Sequence, residues 1–133
     1  MSQPELEEAH LLLRKAREDA GAVRKFCADL DLADAVVGFH AQQAAEKAIK
    51  AVLAVFGDDF PWTHDLRHLM ERLDAIGTPL PASLHDVREL GPWAVEFRYG
   101  ETIDDPLDRE QASSLVTEVI AWAETHVERR ART

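Results

Sequence analysis

The chain has 133 residues, 46% apolar and 30% charged, which fits one globular domain and excludes disordered or collagen-like composition. A lone Cys27 with no CxxC pair excludes an internal disulfide and a cysteine zinc site, and suits a reducing compartment. Twenty-five acidic against fifteen basic residues give a net charge of −10, which disfavours autonomous binding to a nucleic-acid backbone.

Met1 to Glu8 is acidic where an export signal is basic, and no apolar run reaches the ~18 residues a membrane span needs, so a cytoplasmic protein is expected. Ser2-Gln3-Pro4-Glu5 has the form of a capping box with proline in the first turn, and predicts a helix over 4–28. Its apolar stripe runs through Leu6, Ala9, Leu13, Ala16, Ala20 and Val23 at spacings of three and four. An alanine-rich, proline-free stretch predicts a second long helix over 32–57, stopped by Gly57, which accepts the left-handed conformation. Thr63 is the expected cap of a third helix over 64–76, which ends at Gly77, Pro79 and Pro81.

A fourth helix is expected over 82–98, through Leu84, Val87 and Leu90, kinked or split at Pro92. Asp105-Pro106-Leu107-Asp108 reads as the start of a fifth over 106–128, with Arg129, Arg130 and Arg132 near its C-terminal end. Leu13, Val36, Phe39, Ile49, Leu53, Leu69, Leu73 and Val119 are the expected core. No segment alternates with the period of a strand, so the expected fold is an all-α, up-and-down bundle of four to five helices. One domain spans 1–133, with two long antiparallel helices at its centre. The second helix is apolar around most of its circumference, which predicts a homodimer to cover it.

That helix also carries a polar stripe. At about 100° per residue, His40, Gln43, Lys47 and Lys50 fall within one face, and such a row can hold a phosphate, a nucleotide or a partner's carboxylates. The competing reading is a solvated stripe in which Glu46 pairs with Lys50 four residues on.

Phe39-His40-Ala41-Gln42-Gln43-Ala44-Ala45-Glu46-Lys47-Ala48-Ile49-Lys50-Ala51, with Thr63-His64-Asp65-Leu66 and Ala94-Val95-Glu96-Phe97-Arg98-Tyr99, resembles the HEPN family of small helical proteins. The resemblance runs to Ala121-Trp122-Ala123. It implies a helical bundle, usually dimeric, of toxin–antitoxin and defence systems, often encoded beside a minimal nucleotidyltransferase. Many members are metal-independent ribonucleases that use R-x4-6-H. No arginine here stands at that spacing before His40, His64, His68, His85 or His126, which speaks against ribonuclease chemistry.

The resulting expectation is a dimeric binding and interaction module, paired with a nucleotidyltransferase and holding a nucleotide. Its candidate ligand-binding residues are His40, Gln43, Lys47, His64, Arg98 and Tyr99. No cofactor or metal is expected. The enzymatic alternatives are a ribonuclease toxin with an unorthodox His and Arg set, or an HD-type phosphohydrolase using His40, His64-Asp65 and Asp104 or Asp105. His64 and His68, four apart, have metal-ligand spacing, but His64 is better read as a hydrogen-bonding group near a helix start. Trp62, Trp93, Phe97 and Tyr99 are read as packing residues ahead of a base-stacking platform.

Overall fold

The structure, a computed structural model, describes residues 2–94 and 106–133. In chain order it contains α1 (Gln3–Phe26), α2 (Asp34–Val55), α3 (Leu66–Ala75), a 3₁₀ helix (Ala82–Ala94) and α4 (Arg109–Ala131). The described residues form an all-α bundle, as the periodicity predicted, and contain no strand. No helix among them is long and apolar enough to cross a membrane.

α1 starts as the sequence requires: Ser2 Oγ accepts from the Glu5 amide at 3.2 Å and Glu5 returns the bond to the Ser2 amide at 3.1 Å. α2 stops at Gly57, whose φ of 69° lets the chain turn off the helix, with the Glu5 carboxylate of α1 beside it. The start of α1 thus lies at the end of α2, so the two are antiparallel. α4 is parallel to α2, since Arg109 at its start bonds Asp34 at 2.9 Å and Arg130 near its end bonds the Val55 carbonyl at 3.4 Å.

Helix ends differ from the expected ones by one to three residues, for identifiable reasons. Asp65, not Thr63, caps α3 by accepting from the Arg67 amide; Thr63 instead accepts from the Asp65 amide, one step outside. Asp108 caps α4 by accepting from the Gln111 amide, so the helix begins three residues after the expected start at residue 106.

The larger correction is the fourth element, which is a 3₁₀ helix over 82–94 and not an α-helix over 82–98; residues 95–98 lie outside the described residues. Pro92 has no N–H to donate and Gly91 disfavours helix. Leu84, Val87, Leu90 and Trp93 recur strictly every three residues, so a winding of three per turn stacks all four on one buried face.

α2 is the axis. It packs against α1, α3, the 3₁₀ helix and α4, and its apolar side chains from Ala41 to Val55 are buried within one chain. Most of the apolar circumference of α2 is therefore covered within one chain. Alanines at 41, 44, 45, 48, 51 and 54 let the neighbouring helices come close. Leu13, Ile49, Leu53, Leu69, Leu73 and Val119 are core residues as expected, whereas Val36 and Phe39 are only half-buried. The buried residues at the start of α2 are instead Val37 and Gly38, the latter facing the Trp93 ring.

On α4, His126 packs on Trp122 with ring centroids 4.9 Å apart. Burial, and secondarily the Arg129 charge, hold its imidazole below the ordinary value of 6.5. A lowered folded value means that the folded state binds fewer protons, so this contribution to stability is complete above about pH 6.5 and is lost as pH falls through the folded value. His126→Gln is expected to flatten the fall in melting temperature between about pH 7 and 5. Melting curves of both proteins at matched ionic strength check it.

Candidate functional site: two carboxylates and two imidazoles along α2

The polar arc of α2 is not a solvated stripe. It is organised by two carboxylates, each bridging a histidine and a lysine. Asp19 of α1 takes His40 Nδ1 at 3.0 Å on one oxygen and Lys47 Nζ at 2.6 Å on the other. Glu46 of α2 takes His64 Nδ1 at 2.7 Å on Oε1 and Lys50 Nζ at 2.9 Å on Oε2. The i,i+4 pairing of Glu46 with Lys50 is the one expected from the sequence.

Gln42, fully buried, ties the second cluster together. Its Nε2 donates to Glu46 Oε1 at 2.9 Å and to the His64 backbone carbonyl at 3.1 Å, which pins the α2–α3 loop to the helix. Gln43 Nε2 donates to Gln42 Oε1 at 2.7 Å and so links the outer residues of the arc to the inner ones. Among the described residues no buried side-chain nitrogen or oxygen lacks a partner, which is what makes so polar a helix tolerable at the axis of the bundle.

Exposure sorts the predicted residues. Lys50 is buried with Glu46, its ammonium 5.9 Å and 5.7 Å from the ring centroids of Phe60 and Trp62. Lys47 and His40 are half-buried, and Lys47 spends one of its three donors on Asp19. The His64 side chain is 52% exposed while Glu46, which holds it, is 4% exposed. Trp62, beside this cluster, is 93% exposed. The structure therefore brings His40, Gln43 and Lys47 along one flank, with His64 joined to them through Gln42 and Glu46. Arg98 and Tyr99 lie outside the described residues, as do Phe97, Asp104 and Asp105.

Asp19, Gln42 and Glu46 complete the site, and sequence reasoning did not place them in it. Gln42 and Glu46 stood inside the family string and at helical spacing from Lys50, so a signal existed. Asp19 had none, because its partners are 21 and 28 residues away. No group of three metal-ligating side chains converges among the described residues, and Asp65 of the phosphohydrolase reading is a helix cap; Asp104 and Asp105 of that reading lie outside the described residues. An open groove of about 510 Å³ lies elsewhere, between the 3₁₀ helix and the start of α4, and shares no residue with the arc.

An all-α bundle whose central helix carries a histidine- and lysine-bearing polar arc, and whose next helix is entered through a histidine tied to that arc, is the architecture of one class of small helical domain. The model of the HEPN domain matches residues 9–126, nearly the whole bundle, and the chain belongs to this family. No curated protein and no solved structure matches it significantly.

Proposed function

We propose that this HEPN domain is a nucleotide-binding interaction module that works with a nucleotidyltransferase in a toxin–antitoxin or defence pair. Membership of a nucleotide- and RNA-related family supports the general class. The observation that carries the binding reading is the set of polar groups along the arc: the half-buried Lys47 ammonium, with two donors beyond its bond to Asp19, the Gln43 amide bonded to Gln42, and the exposed His64 imidazole bonded to Glu46. Side chains already held by partners in the fold lose little freedom on meeting a ligand. A homodimer stays within the proposal on the strength of the family alone.

The ribonuclease alternative is weaker because R-x4-6-H is absent and because Lys47 and Lys50 are both neutralised by carboxylates, whereas phosphoryl cleavage needs cationic charge facing the developing phosphorane.

Calorimetric titration with purine nucleotides tests the reading. Heat is expected from the wild type, and the double variant His64→Gln/Gln43→Ala is expected to weaken binding at least tenfold, or about 1.4 kcal/mol, in protein that circular dichroism shows to be still folded. Charge reversal of Lys47 is unsuitable as the probe, since glutamate there opposes Asp19 and destabilises the α1–α2 pair whatever the ligand. Absence of heat with wild-type protein would remove the nucleotide from the proposal.

A further inference from the structure

Three buried polar side chains of α2 are devoted to orienting one exposed imidazole. Glu46 can only accept, so the proton of neutral His64 sits on Nδ1, at 2.7 Å from Oε1, and the lone pair is on Nε2. Gln42 holds the Glu46 carboxylate and the His64 main chain at once, and Lys50 fixes the other carboxylate oxygen. The ring is half-exposed, and no described residue bonds Nε2.

The other histidines lack this combination. His85 has Nε2 engaged by the Leu80 carbonyl at 2.7 Å. His126 is packed on Trp122, and His68 approaches only the exposed Glu71, at 3.9 Å. His40 has a carboxylate behind it, but its ring is more buried and lies 6.4 Å and 5.7 Å from the rings of Phe26 and Phe39. His10 is exposed on the outer face of α1, and no described residue orients its ring.

We propose that His64 Nε2 is a nucleophilic acceptor site for phosphoryl transfer from donors of the phosphoramidate class, with Glu46 as its positioning residue. The Nε2 lone pair attacks phosphorus, the P–N bond of the zwitterionic donor breaks, and the nitrogen leaves with the bonding pair as ammonia. The product is an Nε2-phosphoryl imidazolium whose Nδ1–H remains on Glu46. No proton leaves the ring, and the positive charge that develops there faces a carboxylate already in place. This goes beyond nucleotide binding: it uses the same imidazole but requires no bound nucleotide, so either claim can fail without the other.

The test treats the full chain with potassium phosphoramidate and follows acid-labile phosphate at each histidine by peptide mass mapping under alkaline conditions. His64 is expected to react about tenfold faster than His10 and His68, the low end of the effect that a carboxylate behind a metal-ligating histidine has. Glu46→Gln keeps a hydrogen-bond acceptor but removes the charge, and is expected to bring His64 to the rate of His10. In urea the wild-type His64-to-His10 ratio is expected to fall to about one, a comparison that stands even where the Glu46 variant fails to fold. Equal rates at His64 and His10 in the folded protein, a ratio unchanged by urea, or an undiminished His64 rate in folded Glu46→Gln would overturn the proposal.

Discussion

Replacing Arg109 with alanine is expected to destabilise the bundle by about 3 to 5 kcal/mol, the scale seen when one partner of a largely buried charge pair is removed. Its guanidinium donates through Nε to Asp34 Oδ1 at 2.9 Å, through one terminal nitrogen to the Phe26 and Asp29 carbonyls at 3.2 and 2.9 Å, and through the other to the Leu32 carbonyl at 2.6 Å. One side chain thereby joins the start of α4 to the end of α1, the α1–α2 linker and the start of α2. The carbonyls at the end of α1 have no intrahelical donors of their own, and a cation suits that end of the dipole. Alanine leaves those carbonyls and Asp34 facing a hole. Lysine keeps the charge but not the planar fork, so Arg109→Lys is expected to lose about half as much. Urea unfolding monitored by circular dichroism checks both, with a lowered midpoint and an unchanged m-value as the expected signature.

The second large effect is expected from Gly38→Ala. A Cβ at this position would lie 2.5 Å from Cδ2 and 2.6 Å from Cγ of Trp93, both ring atoms of a buried side chain that the 3₁₀ helix holds in place. The usual gain of roughly 1 kcal/mol from alanine in a helix is overwhelmed by overpacking, which costs about 1 to 3 kcal/mol, with this contact at the upper end. Trp93→Leu alone opens a cavity and also destabilises. The double variant Gly38→Ala/Trp93→Leu is expected to be more stable than the sum of the two single losses predicts, by at least 0.5 kcal/mol. Strict additivity in that cycle would show that the close contact does not govern this position.

These two interactions also mark where the sequence could be read and where it could not. The capping box of α1, the glycine stop of α2 and the amphipathic face of α1 are local: the residues that decide them lie within four positions of one another. All three were legible. The family string on α2 placed a polar arc on an apolar helix, and Glu46 with Lys50 followed from helical spacing. What the string could not show was which way each donor points. Lys47 and His40 meet Asp19, and Arg109 meets the main chain of residues 26–32; these are long-range contacts with no periodicity to announce them. Gly38 carries no local sign of the Trp93 ring, 55 residues further on, that lies against it.

The 3₁₀ helix is a different case, because its signal is present in the sequence and has a period of three, not the 3.6 of an α-helix. Leu84, Val87, Leu90 and Trp93 stand strictly three apart, whereas an α-helix needs steps of three and four to keep a straight stripe. Pro92, expected to kink or split an α-helix, lacks the N–H that an α-helix through it would need, and Gly91 disfavours α-helix as well. Helical periodicity read with a register one position off puts Val36 and Phe39 in the core. Val37 and Gly38 occupy the inward positions instead, a shift of about 100° per residue around α2.

The position of α2 at the axis has a consequence for the order in which the molecule assembles and comes apart. Its pairing with α1 closes through a short linker and costs little loop entropy, so the α1–α2 hairpin is the unit that can form first. α4 must return from more than fifty residues away in sequence, and Arg109 is the group that fastens its leading end. Amides in the middle of α2, covered from several sides, open to exchange only when the whole bundle opens, while the outer turns of α3 open locally at lower free energy. The helix that carries the polar arc is thus the last part of the protein to lose its shape, so His40, Gln43 and Lys47 keep their spacing through fluctuations that loosen the periphery.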